Sequence, residues 1–400
     1  MSQTDAVRST GTVAPGFEVV RFAFEGVLDA SPLGGAAVAI SIDGRPVVDL
    51  WGGSRSIRPS ESWEEGTASV FFSMTKGLLA LLVARLVEQG RIDLDAPVVR
   101  YWPEFGQAGK GAITVRQLMA HRAGLSYPVE DLTRDDLLAW DPVTAALAAQ
   151  APLWTPGTGH QYHALTLGWL VGEIVRRVTG ETVGQAFARI VANPVGADAW
   201  IGLPEREQAR VAVLAASEGF TAVVPEGIPF RNELQRSLTL GGGLPDDIVG
   251  DGTGLNDPEL QRAEIPAGLG IGTARSLAAL WSSAIVDTAD TTAIDPALLD
   301  NMTAPLSFGP PVFSVPMMPQ EAWATGFNVP SDPMPMLGPS SFGHGGAGGQ
   351  LSFADRDARL AFAFLTNDLQ AVDDHRVAVL VRALHTALGS GRESDSQIET

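Results

Sequence analysis

Ser73-Met74-Thr75-Lys76 brings together two side chains that could do chemistry, at a spacing that lets them meet. Lysine is otherwise nearly absent: it occurs only at Lys76 and Lys110, and the other 25 of the 27 basic side chains are arginine. Arginine stays protonated, whereas a lysine amine can lose its proton and act as a base. At i, i+3 on a helix the two side chains share a face, the arrangement of a serine activated by a neighbouring amine. Ser73 would also lie near free N–H groups at a helix start. Burial in an apolar helix would lower the Lys76 pKa toward the neutral base. The plainer alternative is an N-cap serine beside a lysine that snorkels to the surface.

Tyr162 is the second candidate, one of only three tyrosines with Tyr101 and Tyr127. It follows Trp154-Thr155-Pro156-Gly157 in a loop that leads into a helix, where a phenol can point into a cleft. Its pKa, ordinarily near ~10, is expected to fall beside an ammonium group, which would let it exchange protons with Lys76. The alternative is a packing tyrosine with a satisfied hydroxyl. The third candidate is Gly343-His344-Gly345-Gly346-Ala347-Gly348-Gly349, with five glycines in seven positions. Such a segment lets backbone approach a ligand, and its N–H groups could complete an oxyanion hole. A Gly-rich hairpin without a ligand is the alternative. No second ligand stands at metal spacing from His344, so neither metal nor cofactor is expected.

These residues need a scaffold. Residues 36–42 and 46–51 read as strands joined by an Asp43-Gly44 hairpin. A Leu- and Ala-rich helix runs from Ser73 to about Gln89, stopped by Gly90. Helical spacing recurs over 114–120, over 165–179 ahead of Gly180, and from Gly272 through about Val286. Residues 219–270, rich in Gly, Pro and Asp, read as long loops near a binding site. Residues 350–354 and 359–366 read as strands around a turn, and 373–388 as a closing helix. Residues 1–15 and 389–400 read as loose polar tails. Strands, then a helical block, then strands and a helix imply α+β architecture, with an antiparallel sheet drawn from both ends of the chain. The expected division is 1–100 and 270–400 for the sheet lobe and 101–269 for a mainly helical lobe, with the site between lobes. No internal repeat is visible.

A 400-residue chain that is 45% hydrophobic can bury a large core. Its formal charge of −19 argues against nucleic acid and anionic membranes as partners. Cysteine is absent, which excludes disulfides and thiolate metal sites. The first 15 residues lack an apolar signal-peptide region, and no apolar run approaches ~18 residues. A cytoplasmic protein is therefore expected.

Ser73-x-x-Lys76, Tyr162 and then a Gly-rich strand motif before the last helix, in that order, resemble the serine β-lactamase and penicillin-binding-protein superfamily. The likeness is greatest to the class C β-lactamase-like carboxylesterases of family VIII, and spans about residues 20–388. Supporting stretches are residues 91–97, 113–125 and 270–277. The resemblance implies an antiparallel sheet flanked by helices plus a mainly helical lobe, and acyl-enzyme chemistry on Ser73. It also implies oxyanion donors at the Ser73 and Ala347 N–H groups, and a pocket lined by Tyr127, His344, Gly345 and Gly346. Two departures matter. Members that hydrolyse β-lactams carry Tyr-x-Asn, where Ala164 stands here, and Lys-Thr-Gly, where His344-Gly345-Gly346 stands here. That lysine and threonine hold the β-lactam carboxylate, so efficient β-lactam or peptide hydrolysis is not expected.

The reading is a serine carboxylesterase acting on small to medium neutral esters, with Lys76 and Tyr162 as the proton-transfer pair. Its rivals are a β-lactamase, a D-amino-acid peptidase or amidase, or an acyltransferase using the same site. A further rival is a non-catalytic member that binds a ligand. An α/β-hydrolase is disfavoured because G-x-S-x-G is missing. Met317, Met318, Met334 and Met336 would form either an adaptable apolar wall or a layer under a Pro-bent loop. Trp154, Trp323 and Phe327 are further candidates to line the pocket.

Overall fold

Asp43 and Gly44 both take positive φ, 51° and 75°, the pair of left-handed residues that a type I′ turn requires. They join Gly35–Ile42 to Arg45–Gly53 as antiparallel neighbours. The computed structural model describes residues 8–395 except 58–60, 218–219, 251, 289, 316–319 and 371–373. Around that hairpin stands an eight-stranded sheet. Its order is Thr10–Val13, Arg45–Gly53, Gly35–Ile42, Leu360–Thr366, Gln350–Asp355, Ser341–Gly346, Asn328–Val329 and Ala322–Trp323. Every neighbouring pair in it is antiparallel. The expected strands at both ends of the chain are thus joined at the centre, Ala36 opposite Thr366.

The two central strands are buried on both faces, and their residues alternate by size. Val38, Ile40, Leu360, Phe362 and Phe364 belong to a core shared with helices Glu18–Asp29 and Arg376–Asp395. Ala37, Ala39, Ala361 and Ala363 face the other way, into a core shared with helices Met74–Glu88 and Ala274–Ile285. A period of two separates the faces. The alanine face lets helices lie close to the sheet, and the Phe face supplies bulk to the terminal helices.

Ser69–Phe72 belongs to a second sheet, paired with Gly270–Gly272, which in turn pairs with Ala199–Ile201. The helix Met74–Glu88 follows directly and is apolar on every side, as befits a helix inside a core. Gly77 is required where it stands, because a Cβ there would lie 2.8 Å from the Trp281 ring and 3.3 Å from His344 Cβ. That close approach sets the helix against the Gly-rich strand.

Several expectations need correction. Thr10–Val13 is a strand, with Thr10 opposite Trp51, and not part of a loose tail. The helix Glu18–Asp29 had no counterpart in the sequence reading, although Val20, Phe24, Val27 and Leu28 bury one face of it. The closing helix starts at Arg376 and runs on to Asp395, into residues expected to be loose. Residues 219–270 are not all loop: Arg231–Thr239 and Pro258–Arg262 are helices.

Candidate active site

Phe72 has φ of 49°, a left-handed conformation that is strained for a bulky residue. It turns the chain sharply from strand to helix and delivers Ser73 at the bend. Thr75 holds the turn: its Oγ1 donates to Phe72 O (2.6 Å) and accepts from the Gly270 N–H (2.8 Å). Ser73 is already in helical conformation and its side chain does not cap the helix. The N-cap alternative therefore fails, and so does the snorkelling lysine, because Lys76 is 1% exposed.

Lys76 Nζ lies 3.1 Å from Ser73 Oγ, 2.6 Å from Ala164 O and 2.7 Å from Ala267 O. The Tyr162 hydroxyl donates to the same Ser73 Oγ at 2.7 Å. Burial drives the Lys76 pKa well below its ordinary value, opposed by Glu321. A neutral amine fits its three neighbours: two N–H groups for two carbonyls, and a lone pair for the Ser73 hydroxyl proton. Lys110 shows the contrast. It is also buried, yet its amine meets three carbonyls, those of Gln107, Ala148 and Gln150. Three acceptors suit an ammonium group, and no hydroxyl stands among them.

Tyr162 behaves differently from the sequence expectation. Its pKa is raised, first by burial and then by Glu321, with the Ser73 hydrogen bond acting the other way. A neutral Lys76 offers no ammonium to lower it. Tyr162 therefore stands as a phenol, in place to donate. Its loop is fixed by His121, whose carbonyl accepts from the Gln161 N–H (3.1 Å) and whose Nδ1 accepts from the His163 N–H (3.1 Å). Trp323 stacks on the phenol, with centroids 5.7 Å apart and planes 14° apart. His121 lies in a stretch that the sequence singled out, but nothing there marked it as the clamp on Tyr162.

His344 is buried, its Nδ1 donating to Gly345 O at 2.8 Å. Burial lowers its pKa to about 3, so the position expected to replace the lysine of Lys-Thr-Gly holds no cation. At Gly345 a Cβ would lie 2.8 Å from Met334 Cε, so Met334 fills the space a threonine would need. Gly346 runs beside the turn that carries Ser73, since a Cβ there would lie 2.6 Å from Phe71 O and 3.4 Å from Met74 Cγ. Ala347, itself exposed, follows it in the turn before Gln350–Asp355.

Tyr127 stands further out against Phe313, which also meets Trp154 and Phe230. Phe327 is not in the pocket: it is fully buried among Trp281 and Phe342. Met336 joins the core on the terminal-helix side, while Met317 and Met318 lie outside the described residues. Sequence reasoning also missed Glu321 and Asn328, which lie in a Met- and Pro-rich segment with no pattern to flag them. Among the described residues no cluster of potential metal ligands occurs, and no helix is long and apolar enough to cross a membrane.

The model of the family described as Beta-lactamase matches residues 23–387. The chain belongs to that family. Esterase/beta-lactamase LipL of Mycobacterium tuberculosis is 32% identical over 382 residues, covering 90% of this chain and 83% of LipL. A family VIII carboxylesterase of solved structure superposes with a TM-score of 0.83 at 34% identity, over 95% of this chain and 99% of that one. A penicillin-binding protein homologue from Caulobacter crescentus gives the same TM-score at 33% identity, over 95% and 99%. This beta-lactamase-family protein has the fold its motifs implied, and it is a serine hydrolase.

The buried histidines make its stability depend on pH. Burial lowers the His163 pKa to about 4 and that of His344 to about 3, against about 6.5 in the unfolded chain. Their contribution is complete above about 6.5 and is lost as pH falls through the folded values, because only the unfolded state takes up protons in that window. Each should remove roughly 1.4 kcal/mol per pH unit across its window. Urea unfolding from pH 7 to 4.5 should show a shallower loss for His163→Gln and His344→Gln than for the wild type. Parallel curves would contradict the neutral assignment.

Proposed function

We propose that the protein hydrolyses small to medium neutral carboxylic esters through an acyl-enzyme on Ser73. The observation that carries this reading is the convergence of Tyr162 OH and Lys76 Nζ on Ser73 Oγ, at 2.7 and 3.1 Å. Lys76 takes the Ser73 proton as Oγ attacks the ester carbonyl. The oxyanion is received by the Ser73 and Ala347 N–H groups; in support, Gly346, the residue before Ala347, runs beside Phe71 and Met74. The carbon–oxygen bond of the ester breaks, and the departing alcohol takes a proton from Tyr162, which Lys76 replaces. Water then attacks the acyl carbon, its proton passing to the Tyr162–Lys76 pair. Collapse releases the acid and returns the proton to Ser73 Oγ. Tyr127, His344, Gly345 and Gly346 line the substrate side, with the site between residues 101–269 and the sheet lobe of 1–100 and 270–400. The names of LipL and the family VIII carboxylesterase support ester chemistry.

The preference for esters over β-lactams rests on the neutral His344 and on Gly345. A carboxylate-bearing β-lactam loses two charge-assisted hydrogen bonds there, worth roughly 1.5–3 kcal/mol each. The kcat/KM for a short-chain aryl ester should exceed that for a chromogenic cephalosporin by at least ~100-fold. His344→Lys with Gly345→Thr, whose Cβ would press on the Sδ–Cε end of Met334, should narrow the gap. Equal efficiency on both substrates in the wild type would replace this reading with a β-lactamase.

A further inference from the structure

Next to the candidate site stands a carboxyl group that the reaction above does not use. Glu321 immediately precedes the edge strand Ala322–Trp323. Side chains two apart on an extended chain share a face, and Trp323 lies on Tyr162, so Glu321 is on the side of the site. Its Oε2 accepts from Asn328 Nδ2 at 2.9 Å, and Asn328 Oδ1 accepts from the Gly345 N–H at 3.1 Å. Asn328 thus ties the carboxyl to Gly345, the strand position that corresponds to the threonine of Lys-Thr-Gly. Where carboxylate-binding relatives present an ammonium and a hydroxyl, this chain presents a neutral imidazole, a glycine and a carboxyl group.

We propose that Glu321 sets the charge preference of the site, favouring esters that carry an ammonium group and rejecting those that carry a carboxylate. The inference rests on the ester-hydrolase reading and narrows its substrate class. Glu321 is within electrostatic reach of the centre, since it biases the ionisation of both Lys76 and Tyr162. Burial raises the Glu321 pKa and the hydrogen bond from Asn328 opposes it, so it is Asn328 that favours the charged carboxylate here, while Lys76, held neutral, does not offset its charge. On the outer wall, Glu233 and Arg236 act on Tyr127 in opposite senses, so they cancel in part. The formal charge of −19 also attracts cations, but removing one charge hardly changes that global field. A change in preference on neutralising Glu321 is therefore local.

Three p-nitrophenyl esters of similar length test this: heptanoate, the monoester of adipic acid, and trimethylammonio-hexanoate. Turnover of the heptanoate tests the ester-hydrolase reading by itself. The charge preference is read as ratios of kcat/KM, in which any common effect of Glu321 on Lys76 cancels. In the wild type the cationic ester should exceed the neutral one, and the neutral one the anionic, by about five- to tenfold each, shrinking as salt rises. Glu321→Gln keeps an acceptor for Asn328 and should bring both ratios to within about twofold of unity, while Glu321→Asp should restore the order. An anionic ester hydrolysed as well as the neutral one by the wild type would overturn the proposal without any variant. So would a Glu321→Gln enzyme in which all three rates change by one factor, since Glu321 would then only position Asn328.

Discussion

Ser73→Ala should lower kcat for aryl ester hydrolysis by on the order of 10⁴–10⁶, the range seen when a nucleophile that works with its base is removed. The fold should survive, because Ser73 does not cap its helix and, among the described residues, its hydroxyl meets only Lys76 and Tyr162. Both partners keep other surroundings, Lys76 at the carbonyls of Ala164 and Ala267, and Tyr162 against Trp323. A phosphonate probe should label Ser73 and no other serine. Activity kept within about tenfold, or a label elsewhere, would remove Ser73 from the mechanism.

Replacing Lys76 by arginine should be nearly as damaging as replacing it by alanine, each reducing kcat by on the order of 10²–10⁴. Arginine preserves charge but cannot give up its proton, and its planar fork is too large for a cage built by two carbonyls and a hydroxyl. Tyr162→Phe should fall in the same range. The acidic limb of the kcat/KM profile supplies a second readout. Lys76 acts as a base only when neutral, so activity should persist well below the ordinary lysine range and fall as pH drops through its lowered pKa. A Lys76→Arg enzyme with substantial activity would show that position 76 contributes fixed charge and not proton transfer.

What the sequence disclosed depended on whether a signal was local. Lys76 stood out because lysine is so scarce, and its buried helix announced itself by composition. Asp43-Gly44 specified its turn because both residues tolerate positive φ. The strand Thr10–Val13 was hidden because its pairing with Arg45–Gly53 is non-local and its residues alone look polar. Phe327 looked like a pocket residue because sequence does not say which side of a core an aromatic joins. The pKa of Tyr162 was misjudged for a coupled reason: burial that neutralises Lys76 also removes the ammonium expected to acidify the phenol. Glu321 and Asn328 carry no pattern at all, and their relation to Gly345 exists only through the register of three strands.

The pairing of Gly35–Ile42 with Leu360–Thr366 bears on how the molecule comes into being. Emerging early in synthesis, the first of these strands has one flank paired locally by its hairpin, while the other must wait for more than three hundred residues. Ser69–Phe72 likewise waits for Gly270–Gly272 before the turn that carries Ser73 has its sheet partner. Contacts so distant along the chain close slowly, because loop entropy is lost before pairing repays it. During that interval the apolar helix bearing Ser73 and Lys76 lacks the strands that later cover it, a state prone to aggregate. The low dielectric that neutralises Lys76 is itself a product of the finished sheet. A half-made chain would hold a charged, water-exposed lysine, and its serine would stay inert until the last strands are in place.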